Sequence, residues 1–296
     1  MKDAFSHYHP LVNFLFFALV LAYSMVLLHP VCLLISLAGA IAYAVGLNGR
    51  RGARFTLRMA LPVMLLAAIV NPAFNHGGVT VLCYLPTGNP LTLESILYGL
   101  AAGAMLCTVL LWFSCYNAVM TSDKFVYLFG RVIPALSLVL SMALRFVPRF
   151  RRQMETVRRA QFCIGRDVAA GSVWQRTKKA ITVFSIMVTW ALENAIETAD
   201  SMKGRGYGLR GRTAFSIYTV TERDRCALLW LAFCGVYLTC GILAGGLKWW
   251  YLPTLTGALT GPMTLTLYLV YLALCLTPTM INRREARTWR CSPLKT

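Results

Sequence analysis

The chain has 296 residues, of which 57% are hydrophobic and only 14% are charged, with a mean hydropathy of +0.60. Soluble domains usually carry about 25% charged residues, so this composition excludes a soluble globular protein, a disordered chain and a collagen-like chain. The 29 Lys and Arg against 11 Asp and Glu give a formal net charge of +18, which is typical either of a nucleic-acid-binding protein or of a membrane protein with basic cytoplasmic segments.

The first part of the chain contains apolar runs that are long enough to be predicted as membrane spans. They cover residues 11–28, 31–47, 57–70 and 91–120. A basic loop is predicted at residues 50–58, and residues 71–90, which carry no Lys, Arg, Asp or Glu, are predicted to form a second loop. Asn89 followed by Pro90 predicts the N-cap and the first residue of the fourth helix.

The middle of the chain is predicted to form a hairpin of two long helices that end at glycines. Between residues 145 and 225 lie 16 of the 29 basic residues. Phe146, Phe150 and Val157 recur at helical spacing, and Gly165 is placed to end this first helix. The second helix is predicted to begin near Ser172 and to end at Gly204.

Two further apolar runs, at residues 227–247 and 252–281, precede a basic tail. If the basic loop, the basic middle and the basic tail all lie in the cytoplasm, both termini are inside and residues 71–90 are outside. The basic residues therefore lie where membrane topology requires them, and aromatic stacking motifs for nucleic acid are absent. We expect no nucleic-acid partner.

Both middle helices end in a short motif that contains glycine. Residues 204–206 read Gly-Arg-Gly, and residues 163–165 read Cys-Ile-Gly, followed by Arg166. With residues 9–11 and 144–148, these motifs resemble the transmembrane T component of energy-coupling factor (ECF) transporters, relatives of the ABC importers that take up vitamins and transition-metal ions. In that family, two coupling helices each end in an Ala-Arg-Gly motif.

The resemblance implies an all-α integral membrane protein with about six transmembrane helices plus a cytoplasmic coupling-helix hairpin. It divides the chain into three regions. These are an N-terminal four-span membrane region at 1–120, a cytoplasmic coupling-helix region at 121–225, and a C-terminal two-span region with a basic tail at 226–296.

The resemblance also implies that each motif docks in a groove of one of two ABC ATPase subunits. In this chain Ile164 occupies the arginine position of the first motif, with Arg166 two residues away. A heterodimeric ATPase, whose two grooves differ, would tolerate that asymmetry better than a homodimer. The implied docking residues are Cys163, Ile164, Gly165, Arg166, Gly204, Arg205 and Gly206.

The function implied by the resemblance is that of a scaffold in the cytoplasmic membrane of a prokaryote, with both termini inside. It links ATP hydrolysis by the separate ATPase subunits to a small substrate-binding membrane subunit. We expect no catalytic residue, no metal and no cofactor in this chain, since ATP is bound by the partner subunits and the substrate is chosen by another protein.

Other classes of protein stay open on the sequence alone. Residues 206–211 spell G-x-G-x-x-G, but no strand precedes them as a dinucleotide site requires, and the chain has no P-loop motif. A membrane enzyme or a secondary transporter would need ionisable groups in the spans, where Glu94 is the only carboxylate. A conventional ABC permease subunit, or a helix pair that only rests on lipid headgroups, remains an alternative.

Overall fold

The computed structural model describes residues 3–75, 77–84, 90–130, 134–167, 169–207, 209, 218–257 and 260–291. A short 3-10 turn at Phe5–His7 precedes the α-helices. These are α1 (Pro10–Val26), α2 (Pro30–Phe74), α3 (Leu93–Val119), α4 (Ser122–Gly130), α5 (Pro134–Cys163), α6 (Val173–Gly204), α7 (Glu222–Leu243) and α8 (Pro262–Cys291). Two small antiparallel hairpins pair β1 (Val81–Tyr84) with β2 (Pro90–Thr92) and β3 (Trp249–Trp250) with β4 (Thr256–Gly257).

Each of the predicted membrane spans falls on an apolar helix. Within the described residues, the helical stretches long and apolar enough to cross a membrane are Pro30–Leu47, Leu93–Val119, Val173–Gly204, Glu222–Leu243 and Pro262–Thr288. Shorter apolar helices cover Pro10–Val26 and Leu61–Pro72. The predicted all-α integral membrane class is confirmed. One of the long stretches, α6, was not predicted as a membrane span but as part of the hairpin. It is the least apolar of these stretches.

The predicted basic loop at 50–58 is wrong, because α2 continues through it. The backbone leaves helical geometry only at Gly49, where φ is 67° and ψ is 175°. Arg, Ala and Leu, which dominate the following segment, are good helix formers, so the chain returns to a helix directly after the glycine. Arg54 and Arg58 are exposed on this part of α2.

The predicted start of the fourth span is also wrong by a few residues. Pro90–Thr92 pairs with Val81–Tyr84 as an extended strand, so α3 begins at Leu93 with Thr92 at its N-cap position. Asn89, the predicted cap, lies outside the described residues. In the first turn, the Glu94 carboxylate accepts hydrogen bonds from Thr80 N (3.2 Å) and Thr80 Oγ1 (2.7 Å).

The chain forms two compact units. Unit 1 comprises Met1–Thr121 and Tyr218–Thr296, and unit 2 comprises Ser122–Ile217. Unit 1 therefore contains the helices α1, α2, α3, α7 and α8, whereas unit 2 contains α4, α5 and α6. The division at residues 120 and 225 stays a prediction.

The core of unit 1 is aromatic near the start of α1. Phe5 packs edge-on against Phe16 with ring centroids 5.2 Å apart, and Phe16 contacts Trp112 at 5.8 Å. Phe17 and Tyr43 complete the cluster, and all of these side chains are fully buried. The cluster joins the N-terminal turn to α1, α2 and α3.

Deeper in unit 1, a buried polar cluster joins four helices. Ser24 Oγ lies 2.7 Å from Ser36 Oγ and 3.2 Å from the Tyr271 hydroxyl, and Trp112 Nε1 donates to Ser36 Oγ at 3.1 Å. Hydrogen bonds between membrane helices contribute about 0.6 kcal/mol each on average, but they fix which faces of the helices meet. This cluster therefore sets the rotation of α1, α2, α3 and α8 about their axes.

The N-terminal turn lies at one face of unit 1, which is here called the N face. Phe5 N donates to Asn282 Oδ1 at 3.1 Å, which places the end of α8 beside the N-terminal turn. His9 N donates to Asp224 Oδ1 at 3.0 Å, and the rings of His9 and Tyr218 lie 6.4 Å apart. The starts of α1 and α7 and the end of α8 therefore share the N face.

The opposite face of unit 1 holds the other helix ends. The Tyr251 hydroxyl donates to Leu28 O at 2.8 Å, and the Tyr268 hydroxyl lies 3.1 Å from His29 Nε2. Trp249 stacks edge-on against His29, with centroids 5.1 Å apart. The α1–α2 connection, the β3–β4 hairpin and the start of α8 thus meet at this opposite face.

The two faces differ strongly in charge. The start of α3 also lies at the opposite face, because the rings of Tyr98 and Tyr251 are 5.8 Å apart. In the sequence, Lys248 is the only Lys or Arg of segments 71–92 and 244–262, whose described residues include the two β-hairpins. The N face carries a group of exposed arginines on the ends of α7 and α8. They are Arg223, Arg225, Arg283, Arg284 and Arg287.

Candidate functional site: the C-terminal ends of α5 and α6

The end of α5 is closed by a Schellman motif. Arg166 N donates to Gln161 O at 2.9 Å, and Gly165 N donates to Phe162 O at 3.0 Å. These are the two hydrogen bonds that define the motif, and Gly165 provides the left-handed residue it requires, with φ at 76°. Ile164 is then the C-cap residue of α5.

The end of α6 is closed in the same way. Tyr207 N donates to Met202 O at 3.1 Å, and Gly206 N donates to Lys203 O at 2.9 Å. Gly206 is the left-handed residue here, with φ at 73°. Arg205 is therefore the C-cap residue of α6, in the position that Ile164 occupies in α5.

The predicted docking residues thus form two structurally equivalent sets. Cys163 and Gly204 are the last helical residues, Ile164 and Arg205 are the C-caps, and Gly165 and Gly206 follow. Arg166 comes one residue later and is matched by Tyr207, so it does not take the C-cap position. Both C-cap side chains are exposed, Ile164 to 63%.

The two sets do not form one site. A loop of nine residues, 164–172, connects the end of α5 to the start of α6, so the first set lies beside the start of α6. The second set lies at the far end of α6. A helix of 32 residues is about 48 Å long at 1.5 Å per residue, so the two sets can contact two different proteins.

The loop between the helices is held by a lysine that the sequence analysis missed. Lys179 Nζ donates to Asp167 O and to Ala170 O, at 2.9 Å each. Ser172 and Gln175 form a capping box that starts α6, which confirms the predicted start. The Ser-x-x-Gln spacing is a signal that the sequence contained, whereas the Lys179 contacts have no sequence signature.

An aromatic contact joins the middle of α5 to the middle of α6. The rings of Phe150 and Trp190 lie 5.4 Å apart, edge to face. The Arg149 guanidinium lies 5.6 Å from the Trp190 ring centre on the same indole, in cation–π geometry. Trp190 therefore links the two helices at a point far from both C-caps.

The last turns of α6 carry charges of both signs. Glu193, Glu197 and Asp200 are exposed, and Lys203 Nζ lies 3.9 Å from Asp200 Oδ1. An exposed pair of this kind contributes only about 0.2–1 kcal/mol, so it does little to fix the helix end. Within the parts of the chain that the structure describes, no three His, Cys, Asp or Glu side chains lie close enough to share a metal ion.

Unit 1 and unit 2 together define a class: a multi-pass, all-α membrane protein with a long helical hairpin that ends in exposed, glycine-closed caps. The sequence matches no protein-family model. It is 30% identical to the energy-coupling factor transporter transmembrane protein EcfT of Bacillus selenitireducens, over 64% of this chain and 73% of the relative.

Other relatives match over a shorter stretch. The chain is 33% identical to the corresponding protein of Exiguobacterium sibiricum, over 38% of this chain and 42% of the relative. It is 34% identical to the EcfT 1 protein of Listeria monocytogenes, over 28% of this chain and 31% of the relative. The chain belongs to the family of energy-coupling factor transporter transmembrane proteins, which confirms the resemblance read from the sequence.

Proposed function

We propose that this chain is the energy-coupling subunit of an ECF-type importer. It links ATP hydrolysis by two separate ABC ATPase subunits to a small substrate-binding membrane subunit that takes up a vitamin or a metal ion. The chain itself catalyses nothing and holds no cofactor.

The observation that carries this proposal is the equivalence of the two helix ends. Each end closes with the same pair of backbone hydrogen bonds, and each exposes its C-cap side chain. Two equivalent ends, one next to the start of α6 and the other at the far end of this helix of about 48 Å, suit two related partners better than one. Arg205 presents a planar guanidinium that can pair bidentately with a carboxylate or donate hydrogen bonds to the carbonyl oxygens at the end of a partner helix.

The charge of unit 1 supports the orientation we propose. Exposed arginines lie on the N face. The segments that connect the helices at the opposite face, 71–92 and 244–262, contain a single basic residue, Lys248. The positive-inside bias then puts the N face in the cytoplasm, with both termini inside the cell.

Long, continuous helices give a physical route for coupling. A helix moves as a rigid rod on the time scale of domain motion, so a displacement at the Arg205 end of α6 reaches Trp190 with little loss. Trp190 passes the displacement to α5 through Phe150. The membrane subunit that binds substrate would respond to the reorientation of this pair.

The test is co-purification with the two ATPases, whose genes would be expressed with this one. Arg205→Ala should release one ATPase, because truncating one partner of a buried charge pair costs about 2–5 kcal/mol, roughly 30- to 4,000-fold in affinity. Lys203→Ala is the matched control, since Lys203 is an exposed cation two residues away.

Transport should require every subunit. The isolated chain in liposomes should neither hydrolyse ATP nor take up substrate. Uptake by the chain alone would contradict the proposal and favour a secondary transporter. Equal ATPase retention by wild type, Arg205→Ala and Lys203→Ala would contradict the docking role of the α6 end.

A further inference from the structure

A cavity of about 880 Å³ opens at the N face of unit 1. Its walls come from the N-terminal turn, from the end of the first apolar stretch of α2, and from the last turns of α8. The volume lies within the range of about 300–1,000 Å³ that is typical of small-molecule pockets. None of its walls belongs to the hairpin that carries the proposed function.

The rim of the cavity on α8 carries both signs of charge. Arg283 and Arg287 are four residues apart, so their side chains lie on the same face of the helix, and both are exposed. Glu285 also lines the cavity. Among the residues that the structure describes, none of these three forms an ion pair within 4.0 Å.

A second carboxylate is fixed in the wall. Asp3 Oδ2 accepts hydrogen bonds from the Tyr43 hydroxyl at 3.0 Å and from Ser6 N at 3.1 Å. The other Asp3 oxygen accepts from the Asn282 amide. Neutral donors hold this carboxylate in place without cancelling its charge, so the cavity that the two arginines line also presents a preorganised negative group.

The wall that α2 contributes to the cavity is apolar, and there is open space beside it. Ala42, Val45 and Gly46 line it, and all three are exposed within the chain. They belong to Pro30–Leu47, a stretch apolar enough to span the membrane. A Cβ placed on Gly46 would meet no other atom within 4 Å, so the glycine leaves open space beside the cavity.

We propose that this cavity binds one phospholipid with a phosphate and a primary ammonium in its headgroup, as in phosphatidylethanolamine. Arg283 and Arg287 bind the phosphate, and the Asp3 and Glu285 carboxylates bind the ammonium. The acyl chains lie along the apolar wall of α2. Two cations and two carboxylates balance such a zwitterion, whereas a purely anionic headgroup would face repulsion from the carboxylates.

The same chemistry separates this lipid from phosphatidylcholine. A quaternary ammonium has no N–H and cannot donate hydrogen bonds to Asp3 or Glu285, whereas a primary ammonium has three donors. Basic pockets between membrane helices at the cytoplasmic surface bind the phosphates of lipid headgroups in other membrane proteins.

The test uses the whole chain, purified in mild detergent and titrated with defined lipids, with binding read by native mass spectrometry. Phosphatidylethanolamine should bind about tenfold more tightly than phosphatidylglycerol or phosphatidylcholine. The double variant Arg283→Gln with Arg287→Gln should weaken phosphatidylethanolamine binding about tenfold or more, because it removes charge-assisted hydrogen bonds to phosphate. Arg284→Gln is the control, since Arg284 is exposed on the same turn but does not line the cavity.

A second variant fills the cavity instead of changing its charge. Gly46→Leu should fold normally, because its side chain enters open space, and it should reduce lipid occupancy at least as strongly as the double variant. Soluble glycerophosphoethanolamine should compete only weakly. Equal binding of all three lipids, an Arg284→Gln effect as large as the double variant, unchanged binding by Gly46→Leu, or full competition by the soluble headgroup would each overturn the proposal.

Discussion

The C-cap residue determines the chemistry that each end of unit 2 offers. Ile164 and Arg205 have the same backbone position in the same motif, so they differ only in the side chain. Isoleucine offers an exposed apolar surface, and arginine offers a charge with five donors. The position of Ile164 was predicted from the motif alignment, but the equivalence of the two caps became visible only in the backbone hydrogen bonds.

Substitutions at Ile164 test whether the two ATPases that we propose as partners are alike. Ile164→Ala should weaken docking by the loss of an apolar contact alone, about 1.5–3 kcal/mol if the partner covers the side chain fully. Ile164→Arg should strengthen assembly with a homodimeric ATPase, since it supplies the charge that the second groove accepts. With a heterodimer shaped around isoleucine it should weaken assembly, because it buries an unpaired charge.

The measurement is the yield of complete complex from the same membranes for both variants and the wild type. Arg205→Ala provides the reference for losing a charged contact. If Ile164→Ala and Arg205→Ala both leave the yield unchanged, the two helix ends are ordinary caps and do not face the ATPases.

Gly165 should tolerate substitution poorly for a reason that involves the backbone alone. A Cβ at this position meets no atom within 4 Å, yet φ is 76°, in the left-handed region. Gly165→Ala should cost about 1–2 kcal/mol at the helix end. Gly165→Asn is the matched control, because asparagine visits this region more readily.

The strain should appear as a local effect. Amide hydrogen exchange at Arg166 should rise in Gly165→Ala, since its N–H is bonded to Gln161 O through the motif. The exchange should rise less in Gly165→Asn. An equal rise in the two variants would mean that lost glycine flexibility, and not the left-handed conformation, matters at this turn.

At the scale of elements, hydrophobic periodicity and glycine placement predicted most of the helices. The helices of the hairpin end where expected, α6 at Gly204, because Gly165 and Gly206 adopt the left-handed geometry that few other residues adopt without cost. The start of α3 was wrong because a strand pairing between residues 81–84 and 90–92 overrides a favourable N-cap and proline. Such pairing depends on contacts that local sequence does not specify.

Contacts between residues that are distant in sequence could not be predicted either. In the sequence, three polar residues stand isolated in apolar runs: Ser24, Ser36 and Tyr271. Only helix packing brings their side chains into contact. Trp190 reads as one more apolar residue of α6. Its contacts with Phe150 and Arg149 depend on how the two helices cross, which no periodicity encodes.

The Trp190 contact should matter for coupling more than for docking. Trp190→Ala removes the edge-to-face contact and the cation–π contact, which contribute about 0.5–1.5 and 0.5–1 kcal/mol beyond buried area. Both C-caps lie far along their helices from this point, so ATPase binding should persist. We expect substrate uptake per ATP hydrolysed to fall severalfold in reconstituted complexes.

Trp174→Ala is the matched control for this variant, because Trp174 lies on the same helix and is 80% exposed. Trp190→Phe should retain part of the coupling, since an aromatic ring remains. Loss of ATPase binding in Trp190→Ala would mean that the contact stabilises unit 2 as a whole and has no separate role in transmission.

At the scale of the whole molecule, charge and contacts divide unit 1 into two faces. The helix ends at the N face are joined through the His9–Asp224 hydrogen bond, and those at the opposite face through the Tyr251–Leu28 hydrogen bond. The alternation of ends follows the order predicted from the spans, whereas the side of the membrane on which each face lies rests on the distribution of Lys and Arg. Native cysteines can test it directly.

Cys83 and Cys163 are both exposed, and the proposed orientation places them on different sides of the membrane. Cys83 lies in β1, which pairs with β2 directly before α3, and Tyr98 near the start of α3 contacts Tyr251 of the opposite face. Cys163 is the last residue of α5, at the proposed docking end of unit 2. The test needs two variants, one with Cys83 and one with Cys163 as its single cysteine. A membrane-impermeant maleimide should label Cys83 on intact cells and Cys163 only in inverted vesicles.

The same reagent gives a functional readout at Cys163. The thiol is adjacent to the Ile164 C-cap, so a bulky maleimide there should block ATPase docking, whereas the same label on Cys83 should leave docking intact. Bound ATPase should in turn protect Cys163 from the reagent, because a partner seated on the α5 end excludes it. Labelling of Cys163 from outside the cell would place the hairpin on the wrong side of the membrane for any contact with ATP-hydrolysing subunits, and the coupling function would then have to be abandoned.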